Sequence, residues 1–203
     1  MQYPLFFECV ESIGLNDPLS EVLGAFESGY IEYTYLDIVK SAGHSCPTVA
    51  GAYLMTWKGL DALYHDMTPV RGEIEVFFKE DSTEGVTGVI GNVIGHITGA
   101  TDTTGFKGLG GQFVRHSLMH FSQDISASVR FKRRDTGAMV DVFYNPSSIL
   151  PAASMNALMQ DVLSGSASEE EKKEFGKLWQ ERVEKILCEH HDREEVLRVV
   201  EVS

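Results

Sequence analysis

Residues 43–63 read GHSCPTVAGAYLMTWKGLDAL. The first five form a loop, and the rest form a helix. Pro47 suits the first helical turn, where a missing N–H costs nothing. Val49, Ala52, Tyr53, Thr56, Leu60 and Leu63 recur at helical spacing, and the helix is expected to stop near Asp66. Upstream, residues 1–33 read as an irregular N-terminal segment in which Asp17-Pro18 and Ser20 start a short helix through Leu23 and Phe26. Downstream, residues 70–80 (VRGEIEVFFKE) alternate with the period of a strand around Ile74, Val76 and Phe78.

Residues 85–101 carry Gly88, Gly91, Gly95 and Gly99 on one face of a helix. An isolated glycine destabilises a helix by about 1 kcal/mol, so a stripe of them predicts close approach of another backbone and a tightly packed interior helix. The segment is too short for a membrane-dimer motif. A glycine-rich loop at 106–111 leads to an expected strand over 112–121. Residues 126–134 and 138–144 read as a hairpin turning at Asp135-Thr136-Gly137. Strands beside isolated helices give an α+β fold, an antiparallel-rich sheet packed with helices. This core spans 1–146. Pro146 and Pro151 open a helical C-terminal extension, 147–203, with a short helix at 152–163 and a longer one to about Cys188. Ser168 and Glu171 form the capping box of the longer helix. Its stripe of Phe175, Leu178, Trp179, Val183, Ile186 and Leu187 is expected to dock on the core or on a partner subunit.

Seventeen basic against thirty acidic residues give a formal charge of -13. Such a chain is repelled by nucleic acid and anionic lipid, and Lys132-Arg133-Arg134 is too short to reverse that. No uninterrupted apolar run of about 18 residues predicts a membrane span. The N-terminus, interrupted by Glu8 and Glu11, does not read as a signal peptide. Cys9, Cys46 and Cys188 are too few and scattered for a disulfide framework, which points to a reducing cytoplasm.

The chemistry centres on GHSCP. Cys46 at a helix N-cap feels the positive end of the helix dipole, which favours a thiolate, both a metal ligand and a nucleophile. His44 lies two positions away on the loop. Asn92 and His96 are i and i+4 on the glycine-striped helix and project side by side. His44, Cys46 and His96 would make a three-ligand N/S site for a transition metal with one position open. The alternatives are a cysteine cap beside a surface histidine, and a hydrogen-bonded core histidine at 96. His116 and His120 are outer candidates, separated if the segment is a strand. Cys188, His190 and His191 read as a solvated helix end. There is no GxxxxGK[ST], GxSxG or HExxH, and GLGG at 108–111 does not fit GxGxxG.

GHSCPTVAGAYLM (43–55), RGEIEV (71–76) and a glycine-rich helix ending in Thr98-Gly99-Ala100-Thr101 together resemble the FmdE family of formylmethanofuran dehydrogenase subunits, over roughly residues 35–145. That family has an HGHxCPG start, a strand, and a helix ending in TGCT. The resemblance implies an FmdE-like α+β core, an intertwined homodimer, and an active-site cleft with metal near His44 and Cys46, zinc first, nickel or iron otherwise. It puts Asn92 at the family's acidic position and assigns Asn92 and Thr98 to cofactor binding. The family's thiols fall at Ala100 and near Val89, so the metal site must be completed differently, by His96. The helical tail replaces a zinc finger carried by some relatives. Three functions follow: a metal site binding or acting on a small molecule; a metal-free thiol site with Cys46 as nucleophile and His44 or His96 as base; or a haem-binding, small-ligand or assembly module, Cys46-Pro47 being a dipeptide of haem-responsive proteins.

Overall fold

The computed structural model describes residues 2–202. A 3-10 turn at Leu5–Cys9 leads into a hairpin of β1 (Ile13–Asn16) and β2 (Tyr30–Tyr33), connected through the short helix α1 (Pro18–Val22). Asp17 caps α1 by accepting the N–H groups of Leu19 and Ser20, as the Asp-Pro pair predicts. Next come α2 (Tyr35–Ala42) and α3 (Pro47–Tyr64). Thr34 and Asp37 form the capping box of α2, and Gly43 ends it in the left-handed conformation, φ 76°. This tight ending places the GHSCP loop between two helices.

The main sheet has the order β4-β3-β5-β6-β7, from β3 (Ile74–Phe77), β4 (Met119–His120), β5 (Val129–Arg133), β6 (Met139–Tyr144) and β7 (Leu197–Val202). Only the β3–β4 pair is parallel. The fold is therefore α+β with an antiparallel-rich sheet, and the β5–β6 hairpin turns where the sequence places it. Ile74, Val76, Val129, Phe131, Val140 and Val142 face inward and form the core with α3. Two glycines let α3 approach the sheet. A Cβ on Gly59 would lie 2.7 Å from the Phe131 ring, and one on Gly51 would lie within 2.1 Å of the Tyr144 ring.

The helix α4 (Thr87–Thr98) carries the glycine stripe. Its backbone neighbours are the flanking loops: Cβ atoms at Gly88 and Gly95 would sit 2.7 Å from the carbonyls of Ser82 and Ala100. It is not an interior helix throughout, because Val86, Val89, Asn92 and His96 line an exposed side. The expected strand over 112–121 shrinks to β4. Phe113 and Ser117 adopt positive φ (59° and 56°), which an extended strand does not accommodate. The extension holds α5 (Met155–Ser164) and α6 (Glu169–Glu184), followed by a π-helical turn at Lys185–Glu189. It is not wholly helical, however. Leu197–Val202, rich in β-branched residues, pairs with β6 and completes the sheet of the core.

A buried ionic network ties the N-terminal hairpin to α4. Asp17, 3% exposed, accepts from Arg71 Nη1 at 2.9 Å and from Arg115 Nη2 at 2.6 Å. Arg71 also donates to the carbonyls of His96 and Ile97 at the end of α4. Arg115 packs on Gly72 and Gly99, where side chains would collide with its guanidinium. Burial alone would raise the Asp17 pKa, but the Arg71 hydrogen bond and the Arg115 charge outweigh it and hold the carboxyl below its ordinary value. A depressed folded value contributes stability above the unfolded pKa of about 3.9 and loses it as pH falls through the folded value. Asp17→Asn should therefore cost about 3 kcal/mol at neutral pH by stranding the buried Arg115 and removing a partner of the half-buried Arg71, and should flatten the acid limb of the stability profile. Urea unfolding from pH 7 to pH 3 checks both expectations. Gly51→Ala should cost about 1–3 kcal/mol by overpacking, read as a lower urea midpoint with an unchanged slope.

Candidate functional site

The turn between α2 and α3 is held by four side chains from three elements. The Ser45 hydroxyl shares a 2.9 Å hydrogen bond with the Tyr35 hydroxyl from α2. The Ser45 carbonyl accepts from Trp179 Nε1 at 3.0 Å and from Gln180 Nε2 at 3.1 Å, both on α6. The Tyr144 hydroxyl donates to the Pro47 carbonyl at 2.8 Å from the end of β6. Burial raises the pKa of both Tyr35 and Tyr144, which stay neutral. The helical extension thus does more than cover apolar surface: it fixes the backbone of the candidate loop.

Within this frame His44 is exposed, and its Nδ1 lies 3.0 Å from the Ala42 carbonyl. A carbonyl can only accept, so Nδ1 carries a proton, and in the neutral form of the ring the lone pair lies on Nε2. Cys46 is half-buried and is the N-cap of α3, its Sγ accepting the Val49 N–H at 3.4 Å.

His96 stands on the exposed side of α4, its Nδ1 3.3 Å from the Ser41 hydroxyl and its ring edge-on to Tyr33. Partial burial, and then the charge of Arg71, lower its pKa, so the ring is neutral at pH 7. Asn92 is exposed one turn earlier. Thr98 is fully buried. Its hydroxyl donates to the Ile94 carbonyl and accepts the Ala100 N–H, so it ends the helix instead of facing a ligand.

Among the described residues no group of three or more His, Cys, Asp and Glu side chains is placed to hold a metal ion. His44 and Cys46 fit a borderline metal by donor type, and His44 also by its tautomer. Within one chain the set of His44, Cys46 and His96 is not assembled, and no chemistry through a metal follows from a single chain. The other histidines are engaged separately. His120 stacks on Phe77, 3.7 Å from Glu75, and His116 contacts Ser117 at the bend that precedes β4. His191 packs on Trp57, and burial pushes the Cys188 thiol up to about 11.

Tyr35, Tyr144, Trp179 and Gln180 escape a reading of the sequence by motif. Only Trp179 leaves a signal, an indole in an apolar stripe whose N–H needs a partner when buried. Among the described residues no helix is long and apolar enough to cross a membrane. No protein-family model matches the chain, and no curated protein matches it. Among solved structures it is similar to a tungsten formylmethanofuran dehydrogenase FmdE-like protein from Syntrophus aciditrophicus, at 12% identity and a TM-score of 0.43, over 84% of this chain and 73% of that one.

Proposed function

We propose that the chain is a metal-binding protein whose donors are His44 Nε2 and Cys46 Sγ, on a rigid turn that also binds a small molecule. The observation that carries this reading is the hydrogen bond from His44 Nδ1 to the Ala42 carbonyl. Ligating histidines characteristically donate their other ring N–H to a carbonyl or carboxylate, which sets the tautomer and orients the ring. The imidazole–thiolate pair suits zinc best, with nickel or iron as alternatives. One chain offers two donors. The third in this reading is His96, neutral and exposed, supplied by a second copy of the chain in a homodimer, with Asn92 beside it facing the bound molecule. The reading predicts about one metal per chain, set by one donor set per symmetric half, in protein purified without added metal. His44→Ala with Cys46→Ser should abolish it, and His96→Ala should lower both metal content and dimer fraction. Full metal retention in the double variant rejects the assignment.

A second reading keeps the thiol and drops the metal, and the capping contact of Cys46 with Val49 N–H favours it. Cys46 is then the nucleophile and His44 its base. In metal-free protein His44→Ala should slow alkylation of Cys46 by iodoacetamide about 100-fold at pH 7. Equal rates in the two proteins remove this reading and leave the first intact.

A further inference from the structure

The first 39 residues contain seven carboxylates, Glu8, Glu11, Asp17, Glu21, Glu27, Glu32 and Asp37, and no Lys or Arg before Lys40. Asp17 and Asp37 are ion-paired. Two surface cavities open along the N-terminal hairpin. The first, about 270 Å³, has walls of Tyr3, Phe7, Val10 and Leu36, with Glu8 and Glu32 among its polar groups. The second, about 180 Å³, is lined by Ile13, Trp57, Leu60 and Met67 together with Glu11 and Asp61. Ser12 lines both, so the two cavities are neighbours on either side of it, and together they are called the trough.

Neither cavity is lined by a Lys or Arg. Among the described residues Glu8, Glu11, Glu32 and Asp61 pair with no cationic side chain. Glu8 accepts from the Tyr3 hydroxyl and Glu32 from the Ser12 hydroxyl, contacts that position the carboxylates and leave their charge uncompensated. The trough thus combines aromatic and aliphatic walls with four carboxylates. That chemistry holds an alkylammonium or guanidinium whose carbon stem lies on apolar surface.

From this geometry we infer that the trough is a docking site for an extended, Lys/Arg-rich segment of a partner protein. Side chains two apart on an extended segment point the same way, which suits adjoining pockets that each take one side chain. A second copy of this chain does not offer such a segment: its basic run, Lys132-Arg133-Arg134, is ion-paired to Glu75, Asp135 and Glu73 of its own chain. Trp57 and Leu60 come from α3 while Tyr3 and Phe7 come from the N-terminal segment, so the docked segment would bridge the start of the chain and the helix that carries Cys46.

The test is fluorescence anisotropy of the full chain with a labelled octapeptide alternating Lys or Arg with Leu. Saturable binding is expected, weakening as salt rises, with no binding of the same peptide carrying Glu for Lys and Arg. Glu8→Gln with Glu32→Gln should weaken it about tenfold or more, and so should the separate pair Glu11→Gln with Asp61→Asn. All four side chains line surface cavities, and circular dichroism of each variant should match the parent. No saturable binding, or undiminished binding by both folded variants, overturns the assignment. Competition by spermine at equal charge concentration overturns it in favour of a small polyamine. A peptide displaced only by raising the protein's own concentration overturns it in favour of self-association.

Discussion

The carbonyl of Ser45 takes two hydrogen bonds from one helix that lies more than 130 residues away in sequence. A carbonyl has two lone pairs, and here both are used by side chains. The donors, an indole and a carboxamide one residue apart on α6, fix where the turn can sit. From the other side Tyr35 and Tyr144 hold the hydroxyl of Ser45 and the carbonyl of Pro47. His44 and Cys46 flank the residue so constrained. A donor pair on a loop is ordinarily loose, but here the loop is a rigid corner between two helices. In the proposed function, preorganisation of this kind would lower the conformational entropy lost when the two side chains bind.

The same economy appears elsewhere in the fold. Glycines on α3 bring it close to Phe131 and Tyr144, and that closeness puts Tyr144 within reach of the Pro47 carbonyl. Arg71 and Arg115 meet at Asp17 and draw the N-terminal hairpin against the end of α4. The side of α4 that carries Asn92 and His96 is left uncovered in a single chain. The C-terminal strand β7 then locks the chain that follows α6 into the main sheet.

Much of this architecture is legible in the sequence wherever the signal is local. The Asp17-Pro18 start, the Cys46-Pro47 helix, the Ser168–Glu171 box and the hairpin at residues 135–137 each carry their own instructions in capping or turn chemistry. Sequence reading fails where distant chain decides. The short helix α2 lies outside the expected elements although Thr34 and Asp37 encode its cap. β7 becomes a strand because its β-branched residues meet the open edge of β6, and that edge is a fact of the sheet. Thr98 looks like a ligand contact by resemblance, yet its hydroxyl is spent on the last turn of α4. The glycine stripe marks close backbone approach correctly at Gly88 and Gly95, but the approaching backbone belongs to the neighbouring loops. At the candidate site the reactive residue types are readable, but the clamp around them is not. Hydrogen bonds from Tyr35, Tyr144, Trp179 and Gln180 to loop backbone and hydroxyl groups carry no spacing that a motif can capture.

Nitrogen-15 NMR of the His44 ring tests the central claim most directly, that the turn presents an imidazole with Nδ1 protonated and Nε2 free beside the thiol of Cys46. The predicted result is the Nδ1–H tautomer in the neutral form of the ring, with the Nε2 resonance shifting on titration with zinc and staying put in Cys46→Ser. A dominant Nε2–H tautomer, or an Nε2 signal indifferent to zinc in the unaltered protein, would contradict it.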